Sequence, residues 1–190
     1  MPPKTQASVF IGTSLDGFIA RPDGALDFLP PNGGEPHGYN EFLASVDALV
    51  IGRGTFETVC AFPEWPYGNK LVIVLSTRPL ELPEWVPQVS SDLRDLGRRN
   101  VEQMSGDPAE IIAKLGTRGI RHIYVDGGVT IQRFLRARLI QRLIITRVPV
   151  LIGQGIPLFA SLQEDVRLRH VETTAYKSGL VKSEYEVLPA

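Results

Sequence analysis

The 190-residue chain has one cysteine, Cys60, so it can form no intrachain disulfide, no thiol pair for redox exchange and no zinc motif that needs a second thiol. A reducing compartment is the expected setting. Long hydrophobic runs are missing as well: no stretch approaches the ~20 apolar residues that cross a bilayer. The opening MPPKTQASVF has no apolar core of an export signal. The expectation is a cytoplasmic chain that works away from membranes. Charge of one sign is also lacking, since 20 Lys and Arg stand against 21 Asp and Glu, a formal net charge of -1. Without a basic stripe or repeated aromatics, the expected partner is a small molecule and not a nucleic acid.

Several familiar signatures are absent. Neither G-x-G-x-x-G nor G-x-x-x-x-G-K-[ST] occurs, which excludes the standard dinucleotide fingerprint and the nucleoside-triphosphatase loop. None of His37, His122 and His170 sits in a nucleophile motif or has metal-ligand spacing, and His122, inside RHIYV, reads as a strand residue.

What remains is a 43% hydrophobic chain, enough for one substantial core, and residues 1–190 read as a single domain. Continuous apolar runs at 7–14 (ASVFIGTS), 47–52 (DALVIG), 69–77 (NKLVIVLST) and 120–125 (IRHIYV) have the length and composition of buried strands. Helical spacing follows from Tyr39, through Phe42, Leu43 and Val46, and again in RGTFETVCAF, DPAEIIAKLGTRG and IQRFLRARL. In DPAEIIAKLGTRG, Asp107 is placed to cap, Pro108 suits the first turn and Gly116 lies near the end. Strands alternating with helices imply parallel pairing with both sheet faces covered, a three-layer α/β core. After about residue 139 no long helix intervenes, and KSG at 177–179 looks like a hairpin turn, so the last strands are expected to be antiparallel. Residues 15–38 form a long turn-rich segment, but Phe18, Ile19, Leu26, Phe28 and Leu29 predict that it packs and can serve as a lid.

Three strand ends carry the chemical signal: IGRGT (51–55), LSTR (75–78) and VDGGVT (125–130). Each places glycine, hydroxyl or arginine where a strand stops, the arrangement that offers backbone N–H groups to an anion. A glycine that merely turns the chain would explain any one of them. All three, with Arg53 and Arg78 each just beyond a buried strand, point to an anionic cofactor.

The segments FIGTSLDGFIA, DALVIGRGTFE, LVIVLST, IYVDGGVTI and ITRVPVLIGQGIPLF, in this order, resemble the dihydrofolate reductase superfamily. The resemblance is closest to its bacterial branch related to the C-terminal reductase domain of the bifunctional riboflavin biosynthesis protein. It covers nearly the whole chain and implies a three-layer dihydrofolate reductase-like fold, with a mostly parallel central sheet and antiparallel C-terminal strands. It also implies NADPH as cofactor and a homodimer. By matched position, Gly12 and Ala20 would offer backbone groups to the nicotinamide carboxamide, and Gly52, Arg53, Gly54 and Thr55 would hold phosphates. Ser76, Thr77 and Arg78 would surround the 2′-phosphate, while Gly127, Gly128, Val129 and Thr130 would receive the pyrophosphate.

The implied reaction is hydride transfer to a pyrimidine- or pteridine-like heterocycle, related to 5-amino-6-(5-phosphoribosylamino)uracil reductase. Three residues are candidates for its chemistry: Tyr39 as proton donor, Thr146 as a substrate contact and Asp126 beside the paired glycines. His37, Glu41 and Asp27 are weaker candidates. The chain departs from the resemblance at three places, one being the acidic residue before the riboflavin branch's paired glycines, shortened here to Asp126. The helix-start carboxylate of dihydrofolate reductase falls near Gly38, and the lysine of the riboflavin branch's S-L-D-G-K is Phe18 here. These departures support an alternative, a nucleotide-binding regulatory protein that has kept the cleft and lost catalysis. Loss of the lysine also favours a smaller or more apolar substrate.

Overall fold

The computed structural model describes residues 5–30, 35–81, 83 and 100–189. Part of the long loop, 31–34, and most of the proline-rich segment after Arg78 lie outside these residues. The chain order is β1 (Gln6–Ser14), β2 (Phe18–Ala20), α1 (Tyr39–Ser45), β3 (Ala48–Gly52), α2 (Arg53–Cys60), β4 (Leu71–Leu75) and β5 (Val101–Met104). It continues with α3 (Pro108–Thr117), β6 (His122–Asp126), α4 (Gly128–Arg136), β7 (Arg142–Val148), β8 (Ile156–Pro157), β9 (Leu168–Ala175) and β10 (Val181–Val187).

The inner strands are β-branched runs such as ALVIG and LVIVL, buried on both faces as parallel strands between helices must be. They join an eight-stranded sheet of order β5-β4-β3-β6-β1-β7-β10-β9, in which the first six run parallel. Strand β10 runs antiparallel to both β7 and β9. The β9–β10 turn closes with Tyr176 N–H to Leu180 O at 2.9 Å and Gly179 at φ 87°, the hairpin that KSG predicts. Helices α3 and α4 pack on one face through Ile111, Leu115, Ile131 and Phe134, and α1 and α2 on the other through Phe42, Val46, Phe56 and Val59. These are the three expected layers.

One local expectation needs correction. Asp107 holds the N-cap position of α3 and its carbonyl accepts Ile111 N–H at 3.0 Å, but its side chain makes no capping hydrogen bond. Pro108 removes one N–H there, and the Glu110 carboxylate folds back over Gly106, 2.6 Å from where a side chain at 106 would begin.

The long loop enters the fold as the short ribbon β2–β8. Asp16 ties this ribbon down: its carboxylate accepts Gly153 N–H at 2.8 Å and Ile152 N–H at 3.3 Å, while Ser14 Oγ accepts Phe18 N–H at 3.0 Å. The Ser14 hydroxyl, and then these N–H groups, hold Asp16 below the usual carboxylate range. SLDG and LIGQG, distant in sequence, thus interlock beside the carboxyl ends of the parallel strands.

Phe134 is 0% exposed at the centre of the α4 layer. Phe134→Ala is expected to lower the unfolding free energy by about 3–5 kcal/mol in urea titrations. Val171→Thr on the solvated strand β9 should stay within about 0.5 kcal/mol of wild type.

Candidate functional site

A cavity of about 1160 Å³ opens at the carboxyl ends of β1, β3 and β6, between the long loop, α1, α2 and α4. The register Ile51↔Asp126 sets the β3–α2 and β6–α4 turns side by side at its floor. There the two turns press on one another. Gly127 has φ 92°, and a Cβ on it would overlap Thr55 Oγ1; a Cβ on Gly52 would lie 2.9 Å from Thr130 Oγ1. Gly128 faces the ribbon, where a Cβ would lie 3.1 Å from Ile19 Cδ1 and 3.2 Å from Pro157 O. Close approach thus favours glycine at both positions, and at Gly127 the backbone conformation requires it as well.

Glycine at the N-cap has no side chain to cap with, and neither α2 nor α4 has a side-chain cap. Their first N–H groups are left for an external acceptor, with the helix dipoles favouring an anion. Gly52, Gly54 and Thr55 line the cavity from one turn, and Gly127, Gly128, Val129 and Thr130 from the other. Gly12 and Ala20 line it from β1 and β2.

Arg53, Ser76, Thr77 and Arg78 gather at the adjoining end of β4, outside the cavity wall. The Arg53 guanidinium points along this edge: it donates to Ser76 Oγ at 3.1 Å and to the carbonyls of Arg78 at 2.8 Å and Pro79 at 2.5 Å. Its remaining contact is Glu57 at 3.3 Å. Ser76 Oγ in turn donates to Arg78 O at 2.7 Å and accepts Arg78 N–H at 3.2 Å. Arg53 and Ser76 thus shape the turn, and the exposed Thr77 and Arg78 side chains are what it presents. Gln103 on β5 also braces the turn, donating to Ser76 O and Arg78 O at 2.8 and 3.0 Å. Nothing in the polar-looking VEQM singles it out.

The chemically distinctive group is Asp126, the last residue of β6. Its Oδ1 accepts Gly127 N–H at 2.8 Å, so the carboxylate is held at the start of α4. Burial pushes it from the usual 3.8 up to about 6, against the smaller lowering effects of Gly127 N–H and the Tyr67 hydroxyl. Three phenols surround it. Burial, then the Asp126 charge, raises the pKa of Tyr39, Tyr67 and Tyr124 alike. Tyr124 donates to Phe10 O at 2.7 Å, and Tyr39 packs edge-on against Phe10 and Tyr124. The phenols stay protonated through the neutral range, leaving Asp126 as the member of this group that titrates near it. Sequence reasoning favoured Tyr39 and missed Tyr67, whose only signal is an aromatic between proline and glycine in WPYGN.

The other candidates separate. His37 and Glu41 line the cavity, whereas Asp27 is absent from its wall and pairs with Arg21 at 2.8 and 3.0 Å. Thr146 lies on β7 beside Gly12, 5% exposed, with an Oγ1 that makes no hydrogen bond; it does not itself line the cavity. Gly38 begins α1 at φ 89°. Beside it stands an amine that sequence reading passed over, Lys182 of β10, whose Nζ donates to His37 O at 3.2 Å.

The family described as the RibD C-terminal domain matches residues 7–182. The uncharacterized protein YwjB of Bacillus subtilis (strain 168) is 33% identical over 165 residues, which cover 85% of this chain and 86% of its own. The crystal structure of a putative riboflavin biosynthesis protein from Shewanella sp. PV-4 is 35% identical. It superposes with a TM-score of 0.83 over 97% of this chain and all of that one, 100%. A dihydrofolate reductase from Enterococcus faecalis, at 20% identity, shares the fold with a TM-score of 0.63, covering 98% of this chain and 97% of its own. The match over residues 7–182 shows that the chain belongs to the RibD C-terminal domain family, and its fold is dihydrofolate reductase-like.

Proposed function

We propose that the chain is an NADPH-dependent reductase that transfers hydride to a pyrimidine- or pteridine-like heterocycle, with Asp126 as the acid. The observation that carries this reading is the junction at 126–128. A carboxyl group with its pKa raised to about 6 adjoins two glycines that open an uncapped two-helix cradle. The cavity, about 1160 Å³, exceeds the roughly 300–1,000 Å³ of an ordinary small-molecule pocket, which suits a large cofactor beside a second molecule.

In this reading the turns 52–55 and 127–130 hold phosphates through backbone N–H groups and the Thr55 and Thr130 hydroxyls. Thr77 and Arg78 meet the 2′-phosphate on a turn shaped by Ser76 and Arg53. Gly12 and Ala20 offer backbone groups to the carboxamide. When bound, NADPH supplies the hydride. Asp126 supplies the proton that the reduced ring must gain, and Tyr67 stabilises the carboxylate left behind. The group then takes a proton back from solvent. At pH 7 roughly a tenth of such carboxyls are protonated, so activity falls as pH rises through about 6. Tyr39 contacts the acceptor across the cleft, and Thr146 supports it from behind Gly12.

Consumption of NADPH with pyrimidine and pterin acceptors tests the whole reading. Tight NADPH binding without turnover on any acceptor would instead support a nucleotide-binding protein that has lost catalysis. Asp126→Asn should reduce kcat by about 10²–10⁴-fold and remove the fall above pH 6, with NADPH affinity retained.

The same group predicts a pH-dependent stability. Its pKa is higher folded than unfolded, so the folded state binds the proton more tightly. The resulting contribution is fully present below 3.8 and lost as pH rises through about 6. The rise corresponds to roughly 3 kcal/mol. Urea titrations should show Asp126→Asn gaining up to roughly that much stability relative to wild type between about pH 4 and pH 7; a constant difference would contradict the raised pKa.

The two arginines should also behave differently. Arg78→Ala is expected to weaken NADPH about tenfold and leave NADH unchanged. Arg53→Ala should weaken both, because it releases the carbonyls of Arg78 and Pro79 and so distorts the turn. Equal losses of NADPH and NADH in Arg78→Ala would sink the 2′-phosphate assignment.

A further inference from the structure

We infer that the end of the cleft beside α1 recognises an anionic oxygen on the substrate, a carboxylate or a phosphate, through the ammonium group of Lys182. The inference rests on the reductase reading for which ligand enters the cleft, and adds the charge that ligand carries.

Strand register aligns three positions. Gly12, Thr146 and Lys182 are cross-strand partners on β1, β7 and β10, so their side-chain positions form one row on one face of the sheet. That face carries the cleft, because Phe10 and Gly12, two residues apart on β1, both line it. From the end of the row, Lys182 extends to the start of α1. Its Nζ donates to His37 O at 3.2 Å and lies 3.6 Å from where a Gly38 side chain would begin; His37 and Gly38 both line the cleft.

The ammonium has no carboxylate partner among the described residues. Three acids on adjoining segments are engaged elsewhere, and Glu41, in the first turn of α1, makes no ion pair with it. Glu184, two residues along β10, takes a bidentate pair from Arg142 at 2.6 and 2.7 Å. Glu186 pairs with Arg169, and Glu35 accepts Ser178 N–H and Oγ–H at 3.1 and 2.7 Å. A single long bond to a neutral carbonyl leaves two ammonium N–H groups of this half-buried side chain without a partner among the described residues.

Thr146 is the second, independent observation. It is 5% exposed, its Oγ1 has no hydrogen-bond partner, and it stands between Gly12 and Lys182 in the row. A buried hydroxyl without a partner is costly, and an acceptor oxygen entering the row would satisfy it together with Lys182. Leu29 lies over Gly12, where a Cβ would approach its Cδ2 to 3.1 Å. It covers the Gly12 end of the row, where lower exposure to water strengthens a charge-assisted bond. A protonated, cationic ring would be repelled from the same place.

Calorimetric titration with four probes tests this: uracil, orotate (uracil carrying a carboxylate), uridine 5′-monophosphate and 2,4-diaminopyrimidine, each with and without saturating NADPH. Wild type is expected to bind at least one of the two anions about tenfold more tightly than uracil, and 2,4-diaminopyrimidine no better than uracil. Whether orotate or the nucleotide shows the gain identifies carboxylate or phosphate as the source. Lys182→Gln keeps an N–H for His37 O but loses the charge, so it should abolish the gain and leave uracil within about twofold; Lys182→Arg should keep the gain. Absence of a gain in wild type, its survival in Lys182→Gln, or an equal loss for uracil and the anions in Lys182→Gln would each overturn the assignment. Failure of wild type to bind NADPH in the same titrations would sink the reductase reading instead, while the gain for anions would still be read without cofactor.

Discussion

Parallel pairing delivers the carboxyl ends of six strands to one edge of the sheet, and the site depends on that constraint. A parallel strand cannot turn straight back, so each must leave the edge through a helix or a long loop. The departures from β3 and β6 are neighbours because the strands are neighbours. Two helix N-termini consequently converge without any side chain having to bring them together. The loop after β1 and the ribbon β2–β8 then wall the space those departures leave.

The same arrangement explains why an acid sits beside a cradle suited to anions. Asp126 ends a buried strand, and its neighbours are Gly127 N–H and three phenols, with no cation contributing to its shift. Desolvation therefore outweighs the hydrogen bonds, and the neutral form is favoured over a range where an exposed aspartate would be charged. Below about pH 6 the carboxyl therefore does not repel a nearby phosphate as a fixed anion would, whereas at pH 7 most of it is charged. The cationic character lies elsewhere, at Arg78 on the outer rim and Lys182 at the far end. The cleft thus carries an acid between two positive ends.

Much of this was legible in the sequence, for identifiable reasons. The inner strands and four helices announce themselves because continuous apolar runs and 3.6-residue spacing are local signals. Strands β2 and β8, with three and two residues, are too short to show any period. The three strand ends were visible as turns, and the structure brings the two that carry glycine into the cavity. The direction of the Arg53 side chain was not visible, since it depends on carbonyls about 25 residues away. Tyr67 meets Asp126 across 59 positions of sequence, a contact that only the tertiary fold makes. The pairing of Thr146 with Lys182 is a register fact between strands 36 positions apart, beyond any periodicity. Charge at the far end of the cleft was hidden for the same reason.

The contacts between the two turns are reciprocal: Gly52 faces Thr130 and Gly127 faces Thr55. Each turn thus limits which residues the other can accept, and the four positions drift as a linked set. The two halves of that set are unequal. Gly52 has φ -81°, open to any residue, so alanine could enter there if position 130 shortened in step. Gly127, at φ 92°, has no such escape, because no change at position 55 relieves its backbone. Among descendants of this chain, variation should pass through the first turn in paired steps and stop at the second.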